Sequence, residues 1–341
     1  MKILRRTLIA LTTAALLGAG AVGGAAAADV KSRMIRFGYG LAEDTNQGRA
    51  TKRFVDEVAK LSDGKLKVRA FGAASLGSDV QMQNALIGGA QEMMVGSTAT
   101  LVGITPEMAL WDTPFLFANE KEADAVLDGP VGQKLLDKLQ EKGLVGLVYW
   151  ENGFRNLTNN KRSVNSLEDL GGIKLRVMQN NVILETFKTL GANANPLSFS
   201  ELFTALETQA VDGQENPFNT IVSSKFYEVQ KYLTVTNHVY SPWIVTVSKK
   251  WWDGLSTAEK KVLQDAAIKS RDFERKDTRE EAAKALADLK GKGMQVNELS
   301  AQEANRMREK LASVNAGIAK SVGQQTWDEV NAAVQQMRNA K

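Results

Sequence analysis

Two arginines and one asparagine stand out in the middle of the chain. Arg155 ends the segment YWENGFR, Arg176 lies in IKLRV and Asn216 lies in QENP. An arginine side chain offers a planar fork of N–H donors that binds a carboxylate through two parallel hydrogen bonds. An asparagine amide nearby can both donate and accept. The combination predicts a binding site for a small organic acid.

Arg176 is predicted to lie at the carboxyl end of a strand. Ile173, Leu175 and Val177 point to one side of that strand, whereas Lys174 and Arg176 point to the other. In open α/β sheets, ligands bind outside the carboxyl ends of the strands. This position favours a binding role, and the alternative is a structural arginine paired with a glutamate.

Arg155 and Asn216 also follow predicted strands. Arg155 comes after a strand and a glycine, in the kind of loop that often carries binding residues. The alternative for Arg155 is a salt bridge at a hinge, for example to Glu151. Asn216 precedes Pro217, which holds its backbone extended, and the alternative for Asn216 is an ordinary Asn-Pro turn.

Further polar residues near strand ends complete the candidate set. Ser97 ends the strand EMMVGS, where its hydroxyl group can face a hydroxylated acid or cap a helix. Glu43 follows the first strand and can accept from ligand hydroxyl groups or cap the next helix. Asn152, Gln179 and Asn180 adjoin the two arginines in sequence, and we expect them to contact the ligand.

The composition excludes several other kinds of site. The chain has no cysteine and one histidine, His238. Disulfides, thiol catalysis, cysteine-ligated metals and most histidine clusters are therefore excluded, and we expect no metal and no cofactor. Forty-three basic residues are interspersed with 39 acidic ones, so the charge pattern does not favour nucleic-acid binding. A pair of carboxylates acting in hydrolysis stays open.

The elements that must position these residues alternate between strands and helices. Strands are predicted at MIRFGYG, KLKVRAF and EMMVGS, with helices between them. This order indicates a mostly parallel sheet covered by helices, and the second half of the chain repeats it. A long helix is predicted from about Ser256 to Lys290, with Ser256 and Glu259 as its capping box. At 1.5 Å per residue it would be roughly 50 Å long, enough to span two lobes.

The N-terminus has the pattern of an export signal. Lys2, Arg5 and Arg6 precede an apolar run that ends in three alanines, so residues 1–28 are expected to be removed. A membrane anchor is the alternative, but the apolar run is short for a span. We therefore expect a periplasmic protein. Its two lobes are predicted to have these limits: 29–152 with 242–281 for lobe I, and 153–241 with 282–341 for lobe II.

Several longer motifs resemble one family of transport proteins. They are LGSD, DTPFLF, GFRNLTN, DLGGIKLRV, LSFSELFTALET, VDGQENP and KFYEVQKYLTVTNHVYSP, spread over the chain that follows the export signal. In these stretches the chain resembles the DctP-type extracytoplasmic solute-binding proteins of tripartite ATP-independent periplasmic (TRAP) transporters. The resemblance implies an α/β, two-lobed periplasmic-binding-protein-like fold, a Venus flytrap, with a long helix spanning both lobes.

The resemblance also implies roles for individual residues. Arg176 would form the main salt bridge to a ligand carboxylate, and Arg155 would be a second anion contact. Asn216 would help to hold the carboxylate, and Phe199 of the SFSE motif would line the pocket. Ser97 stands where sialic-acid binders have an acidic residue, which argues against sialate as the ligand.

The resemblance and the residues together predict a binding protein and not an enzyme. Its expected ligand is a C4-dicarboxylate or a sugar acid such as a uronate or aldonate, clamped by Arg176, Arg155 and Asn216. Its expected partners are the small and large membrane subunits of a TRAP permease, and a monomer is the expected state. The alternatives are a periplasmic enzyme that acts on sugar acids and a ligand-sensing subunit of a signalling receptor.

Overall fold

The computed structural model describes residues 29–339, so the export signal predicted at 1–28 lies outside the described residues. In chain order, the strands are β1 (Arg33–Tyr39), β2 (Leu66–Phe71), β3 (Met93–Ser97), β4 (Leu144–Phe154), β5 (Asn156–Asn159), β6 (Lys174–Val177), β7 (Asn193–Pro196), β8 (Gly213–Asn216), β9 (Tyr232–Val235), β10 (Tyr240–Ser248) and β11 (Gln295–Glu298). The helices are α1 (Asn46–Leu61), α2 (Asp79–Gly88), α3 (Glu120–Leu127), α4 (Pro130–Lys138), α5 (Asn181–Leu190), α6 (Leu202–Glu207), α7 (Phe218–Ser223), α8 (Lys249–Trp252), α9 (Thr257–Gly291), α10 (Ala301–Lys310), α11 (Ala312–Val322) and α12 (Gln324–Asn339).

The strands form two sheets, one in each lobe. Lobe I contains the order β2-β1-β3-β10-β4, and lobe II contains the order β11-β9-β5-β8-β6-β7. In lobe I, β1 pairs in parallel with β2 and β3, whereas β10 is antiparallel to both β3 and β4. The prediction of a mostly parallel sheet therefore holds for β1–β3 and not for the returning strand. The predicted two-lobed α/β fold is confirmed.

Apolar side chains fix the layers of lobe I. Phe37 of β1 packs edge-on against Phe54 of α1, with ring centroids 5.1 Å apart. Leu263 and Ala267 of α9 join the same buried cluster. The sheet is thus covered by α1 and α9 on one face, and its strand ends are left to point toward lobe II.

A β-bulge lies where the chain crosses between the lobes. Gly153 of β4 pairs with Ser241, and Glu151 pairs with Pro242, so Asn152 is the extra residue between two paired ones. Such a bulge re-aims a side chain and bends its strand. Gly153 has a φ of 115°, a conformation that residues other than glycine rarely adopt. The bulge directs Asn152 toward the space between the lobes.

Helix α9 contacts both lobes, as the brace predicted from the sequence requires. Asn46 of α1 donates to Thr278 Oγ1 (2.9 Å), and Asn219 of α7 donates to the Thr278 carbonyl oxygen (2.8 Å). One turn earlier, Glu274 accepts from the backbone N–H of Glu151 in β4 (2.7 Å). One face of α9 therefore meets lobe I, lobe II and the crossing strand within about one turn.

The Glu274 carboxyl group predicts a pH-dependent stability. It is fully buried, and burial raises its pKa to about 8, although the donors Glu151 N–H and Thr278 Oγ1 oppose the shift. Because the pKa in the folded protein exceeds the ordinary value of 4.5, the free energy of unfolding falls as the pH rises from 4.5 to about 8, by at most about 1.4 kcal/mol per pH unit. We expect Glu274→Gln, which mimics the protonated acid, to remove this fall. Thermal unfolding of both proteins from pH 5 to 9 measures it.

The control for that experiment is Glu280→Gln, because Glu280 is an exposed acid on the same helix. Its unfolding curves should follow those of the unsubstituted protein at every pH. Parallel pH profiles for the Glu274→Gln variant and the unsubstituted protein would show that Glu274 does not titrate in this range.

The C-terminal helices lie along both lobes. Helix α12 contacts α3 and α4 of lobe I, where Arg338 pairs with Glu122 (2.9 Å) and Lys134 pairs with Glu329 (2.6 Å). The predicted limits assign residues 282–341 to lobe II, whereas α12 also contacts lobe I. The limits of the two lobes stay a prediction. Within residues 29–339, no helix combines the length and apolar character needed to cross a bilayer.

Candidate functional site

A cavity of about 70 Å³ lies between the two lobes. On the scale used for such cavities, one water needs about 10–15 Å³, so the space suits a small molecule and not a peptide. Side chains and backbone from both lobes and from the crossing segment line it: Gly40, Leu41, Gln47, Ala74, Ser78, Asp79, Ser97, Thr100, Asn152, Arg155, Arg176, Met178, Gln179, Leu197, Ser198, Phe199, Ser200, Asn216, Thr220 and Trp243.

Arg176 is a buried cation that forms no salt bridge with any acid in residues 29–339. It lies at the carboxyl end of β6, and 2% of its surface is exposed. Its Nε donates to the Leu197 carbonyl oxygen (2.8 Å), but its Nη1 has no hydrogen-bond partner among the described residues. Burial lowers its pKa to about 10, although the negative charge of Glu215 opposes the shift. The guanidinium is still charged at neutral pH, and a carboxylate from the cavity would stabilise it.

Arg155, in contrast, is already paired. Its Nε and Nη2 donate to the carboxylate of Glu215, which lies on β8 of lobe II. His238 adds a contact from Nε2 to Glu215 (3.2 Å), and its Nδ1 lies 2.8 Å from Thr236 Oγ1. Burial alone would raise the pKa of Glu215, but Arg155 and His238 hold it at about 2. Arg155 therefore brings little net charge to the cavity, yet its Nη1 has no hydrogen-bond partner in the part of the chain that the structure describes.

Amide groups surround the two guanidinium groups. Asn152 is placed at the cavity by the bulge in β4, and Thr220 Oγ1 donates to its Oδ1 (3.1 Å). Asn216, at the end of β8, donates to Gln214 Oε1 (2.5 Å). Gln179 follows β6 and also lines the cavity. These three amides can orient a carboxylate that binds between the arginines.

Lobe I presents an acid on the opposite wall. Asp79 begins α2 after its N-cap Ser78, and its Oδ2 accepts from the backbone N–H of Ser97 (2.8 Å). Burial raises the pKa of Asp79, against the opposing effects of the Ser97 N–H and the positive charge of Arg176. In its ionised form, which the Ser97 N–H and the charge of Arg176 favour, Asp79 accepts hydrogen bonds from hydroxyl groups and repels a second carboxylate.

Most of the predicted site residues meet at this cavity. Those that line it are Arg176, Arg155, Asn216, Phe199, Ser97, Asn152 and Gln179. Glu43 does not line it, because the loop turns outward after Leu41 and leaves the Glu43 side chain exposed. Asn180 does not line it either, because its side chain is turned toward Asp112 and the Ala99 carbonyl oxygen.

Sequence reasoning missed Asp79 and Trp243 as lining residues. Asp79 belongs to the LGSD motif, which contributed to the family resemblance but did not indicate that the Asp79 side chain lines the cavity. Trp243 lies on the crossing strand β10, and the largely apolar sequence of that strand is typical of a buried core strand. The alternative pairing of Arg155 with Glu151 is not what the structure has, because Glu151 pairs with Arg279 (2.6 Å).

The chain is similar to known solute-binding proteins. The family model for bacterial extracellular solute-binding proteins, family 7 (DctP), matches residues 37–321. The 2,3-diketo-L-gulonate-binding periplasmic protein YiaO of Escherichia coli K12 is 37% identical over 265 residues, which cover 78% of this chain and 81% of that protein.

Two solved structures are also similar. The sugar acid binding protein DctPAm of Advenella mimigardefordensis, in complex with galactonate, is 54% identical, has a TM-score of 0.88 and covers 90% of this chain and 99% of that one. A TRAP periplasmic solute-binding protein of Polaromonas sp. JS666, bound to D-erythronate, is 40% identical with a TM-score of 0.85, and the match covers 88% of this chain and 98% of that one.

Proteins of this kind bind small organic acids and work with a membrane permease, and they are transport proteins and not enzymes. The match over residues 37–321 spans both lobes, the cavity and the long helix, so the resemblance seen in the motifs extends over the fold as a whole. The chain belongs to family 7 of the bacterial extracellular solute-binding proteins, the DctP family of TRAP transporters.

Proposed function

We propose that this protein captures a hydroxylated monocarboxylate of the aldonate class in the periplasm and delivers it to a TRAP permease. The observation that carries the proposal is the charge of the cavity wall. Arg176 is unpaired, Arg155 is neutralised by Glu215, and Asp79 stands on the opposite side. A ligand with one negative end and one neutral hydroxylated end fits this arrangement.

The carboxylate of the ligand would bind to lobe II. The free Nη1 atoms of Arg176 and Arg155 are its donors, and Asn216 completes the clamp. Hydrogen bonds to charged groups contribute about 1.5–3 kcal/mol each. They are worth more here because both guanidinium groups are buried and little water competes with the ligand.

The hydroxylated end would bind to lobe I. Asp79 accepts from hydroxyl groups, and the hydroxyl groups of Ser97 and Thr100 can do so as well. Because contacts to the two ends come from different lobes, they can form together only when the lobes are closed. Ligand binding would thus favour the closed state by its differential affinity.

A dicarboxylate such as succinate fits this wall less well. Its second carboxylate would face Asp79, and the cavity lining offers no unpaired cation besides Arg176 within residues 29–339. Like charges facing each other in a closed site cost several kcal/mol. The sugar-acid ligands of the Advenella and Polaromonas proteins support the same class.

One matched pair of ligands tests the proposal. Galactonate and galactarate are open-chain acids that share six carbons and the four hydroxyl groups on the inner carbons, but galactarate has a second carboxylate in place of the terminal alcohol. We expect galactonate to bind and galactarate to bind about 100-fold more weakly, since several kcal/mol separate them. Titration calorimetry on residues 29–341 measures both.

In the variant Asp79→Asn, the ratio of the galactarate to the galactonate dissociation constant should fall about tenfold, because the repelling charge is removed while an acceptor oxygen remains. Asp253→Asn is the control, since Asp253 is an exposed acid paired with Lys249 on the surface. If galactarate binds as tightly as galactonate, the monoanion assignment is wrong.

A further inference from the structure

The side chain of Asn180 connects the two lobes. Asn180 follows β6 in lobe II and precedes α5. Its Nδ2 donates to the carbonyl oxygen of Ala99 (2.9 Å) and to Asp112 Oδ2 (2.6 Å), both in the segment that follows β3 of lobe I. Its Oδ1 accepts from the N–H groups of Val182 and Ile183 (2.7 and 3.2 Å) and so caps α5.

This set of bonds uses the whole hydrogen-bonding capacity of an asparagine, which has two donors and two acceptor positions. The side chain is 5% exposed. A ligand could displace none of these partners without leaving a buried polar group unsatisfied, which is costly. Asn180 is therefore committed to joining the lobes and not to contacting the ligand.

The position of the connection places it beside the binding cavity. On the lobe II side, Met178 and Gln179 precede Asn180 and line the cavity; on the lobe I side, Ser97 and Thr100 flank Ala99 and line it too. Ser97 Oγ also lies 3.6 Å from Met178 Sδ. The bonds of Asn180 thus hold together the two stretches of chain that form adjoining walls.

Asp112 depends on this connection. It is 2% exposed, its Oδ1 has no partner, and within residues 29–339 its recorded donor is Asn180. Burial raises the pKa of Asp112 to about 7, the hydrogen bond from Asn180 and the charge of Arg155 oppose the shift, and Glu215 adds to it. A buried carboxyl group without a hydrogen-bond donor destabilises the protein. When the lobes separate, Asp112 loses its donor Asn180 and must be hydrated instead.

We propose that Asn180 is a positioning residue for ligand capture, which holds the closed cleft together through Ala99 and Asp112 without touching the ligand. The inference rests on the proposed function, since it assigns a role in retaining the same ligand. Opening must break both bonds of the Asn180 amide, whereas entry into an open cleft does not need them. Their loss therefore acts on ligand release.

Two substitutions separate this role from helix capping. Asn180→Ala removes the cap and the bridge together. Asn180→Asp keeps a capping oxygen of equal quality but removes both amide donors, so the Ala99 carbonyl oxygen loses its partner from lobe II. If capping alone mattered, Asn180→Asp would behave as the unsubstituted protein does. Asn119→Ala is the matched control, because Asn119 caps α3 by accepting from Glu122 N–H and does not line the cavity.

Stopped-flow measurements of Trp fluorescence with D-galactonate give both rate constants, since Trp243 lines the cavity. We expect Asn180→Ala and Asn180→Asp to raise the dissociation rate constant about tenfold or more, with the association rate constant changed by less than about threefold. Adding Asp112→Asn to Asn180→Asp should restore part of the loss, because the amide then at position 112 can donate to the carboxylate at position 180. An unchanged dissociation rate constant in Asn180→Asp would overturn the proposal.

A distance measurement keeps the test independent of ligand identity. The chain has no cysteine, so spin labels attached through Lys52→Cys in α1 and Lys188→Cys in α5 report one distance between the lobes. We expect Asn180→Asp to shift the distribution toward longer distances. Failure of the unsubstituted protein to bind D-galactonate would count against the aldonate assignment alone. Identical label distributions with and without Asn180→Asp would overturn the bridge.

Discussion

Replacement of Arg176 by alanine is expected to abolish ligand binding and to leave the fold intact. Arg176 is the unpaired buried cation of the cavity, so a bound carboxylate gains more from it than from any surface charge. Loss of its charge-assisted hydrogen bond, at about 1.5–3 kcal/mol, corresponds to a loss of affinity of about 10-fold to 100-fold, and loss of the positive charge that faces the carboxylate adds to it. Titration calorimetry against galactonate measures it.

The melting temperature of the free Arg176→Ala protein should fall only slightly, since within residues 29–339 no acidic partner of the arginine is left uncompensated and one hydrogen bond, to the Leu197 carbonyl oxygen, is lost. Arg176→Lys should also bind poorly, because an ammonium group keeps the charge but lacks the planar fork. Arg69→Ala is the control, because Arg69 is an exposed arginine on β2 that stacks on Phe71. Retention of binding within tenfold in Arg176→Ala would rule out the carboxylate clamp.

The sequence predicted those elements whose signals are local. Helix α9, predicted from about Ser256 to Lys290, runs from Thr257 to Gly291 and has the predicted capping box of Ser256 and Glu259. The alternation in IKLRV placed Arg176 at a strand end, and the structure has it there. Each of these features depends on neighbours within a few residues, such as caps and side-chain periodicity.

Features that depend on distant residues could not be predicted in this way. The partner of Arg155 is Glu215, 60 positions away, and the nearby Glu151 instead pairs with Arg279. The direction of Asn180 depends on Asp112, which lies 68 positions earlier. A strand-end position shows that a side chain is near the cleft, but the choice between ligand and protein partner is made by three-dimensional packing.

The bulge at Asn152 lies between these two cases. Gly153 and Pro242 are visible in the sequence, and each weakens regular pairing in a strand. Their places on the two sides of the bulge, with Gly153 opposite Ser241 and Pro242 opposite Glu151, follow only from the antiparallel register of β4 and β10. The bulge and the direction of the Asn152 side chain therefore required the structure.

Glu215→Gln is expected to lower the stability of the protein more than any surface substitution. Glu215 and Arg155 form a buried pair with side-chain exposures of 0% and 1%. Removal of one partner leaves the other charge uncompensated, which typically costs about 3–5 kcal/mol. For a chain of this size the melting temperature should fall by roughly 10 °C. Differential scanning calorimetry at pH 7 measures the change.

The matched control is Glu168→Gln, because Arg306 binds Glu168 through two hydrogen bonds on the surface. That pair is exposed to solvent, so its loss should lower the stability only slightly. The double variant Arg155→Met with Glu215→Gln should recover most of the lost stability, since the charge of Arg155 is then no longer left buried without its partner. It should still bind galactonate weakly, because one donor of the clamp is missing.

The dependence of this effect on pH follows from the lowered pKa of Glu215, which is about 2 in the folded protein against an ordinary value of 4.5. A lowered acid pKa contributes stability that is present above about pH 4.5 and lost as the pH falls toward 2. The difference in stability between the unsubstituted protein and Glu215→Gln should therefore shrink over that range. A constant difference down to pH 3 would mean that Glu215 acts through its shape and hydrogen bonds, and that Arg155 does not need its charge.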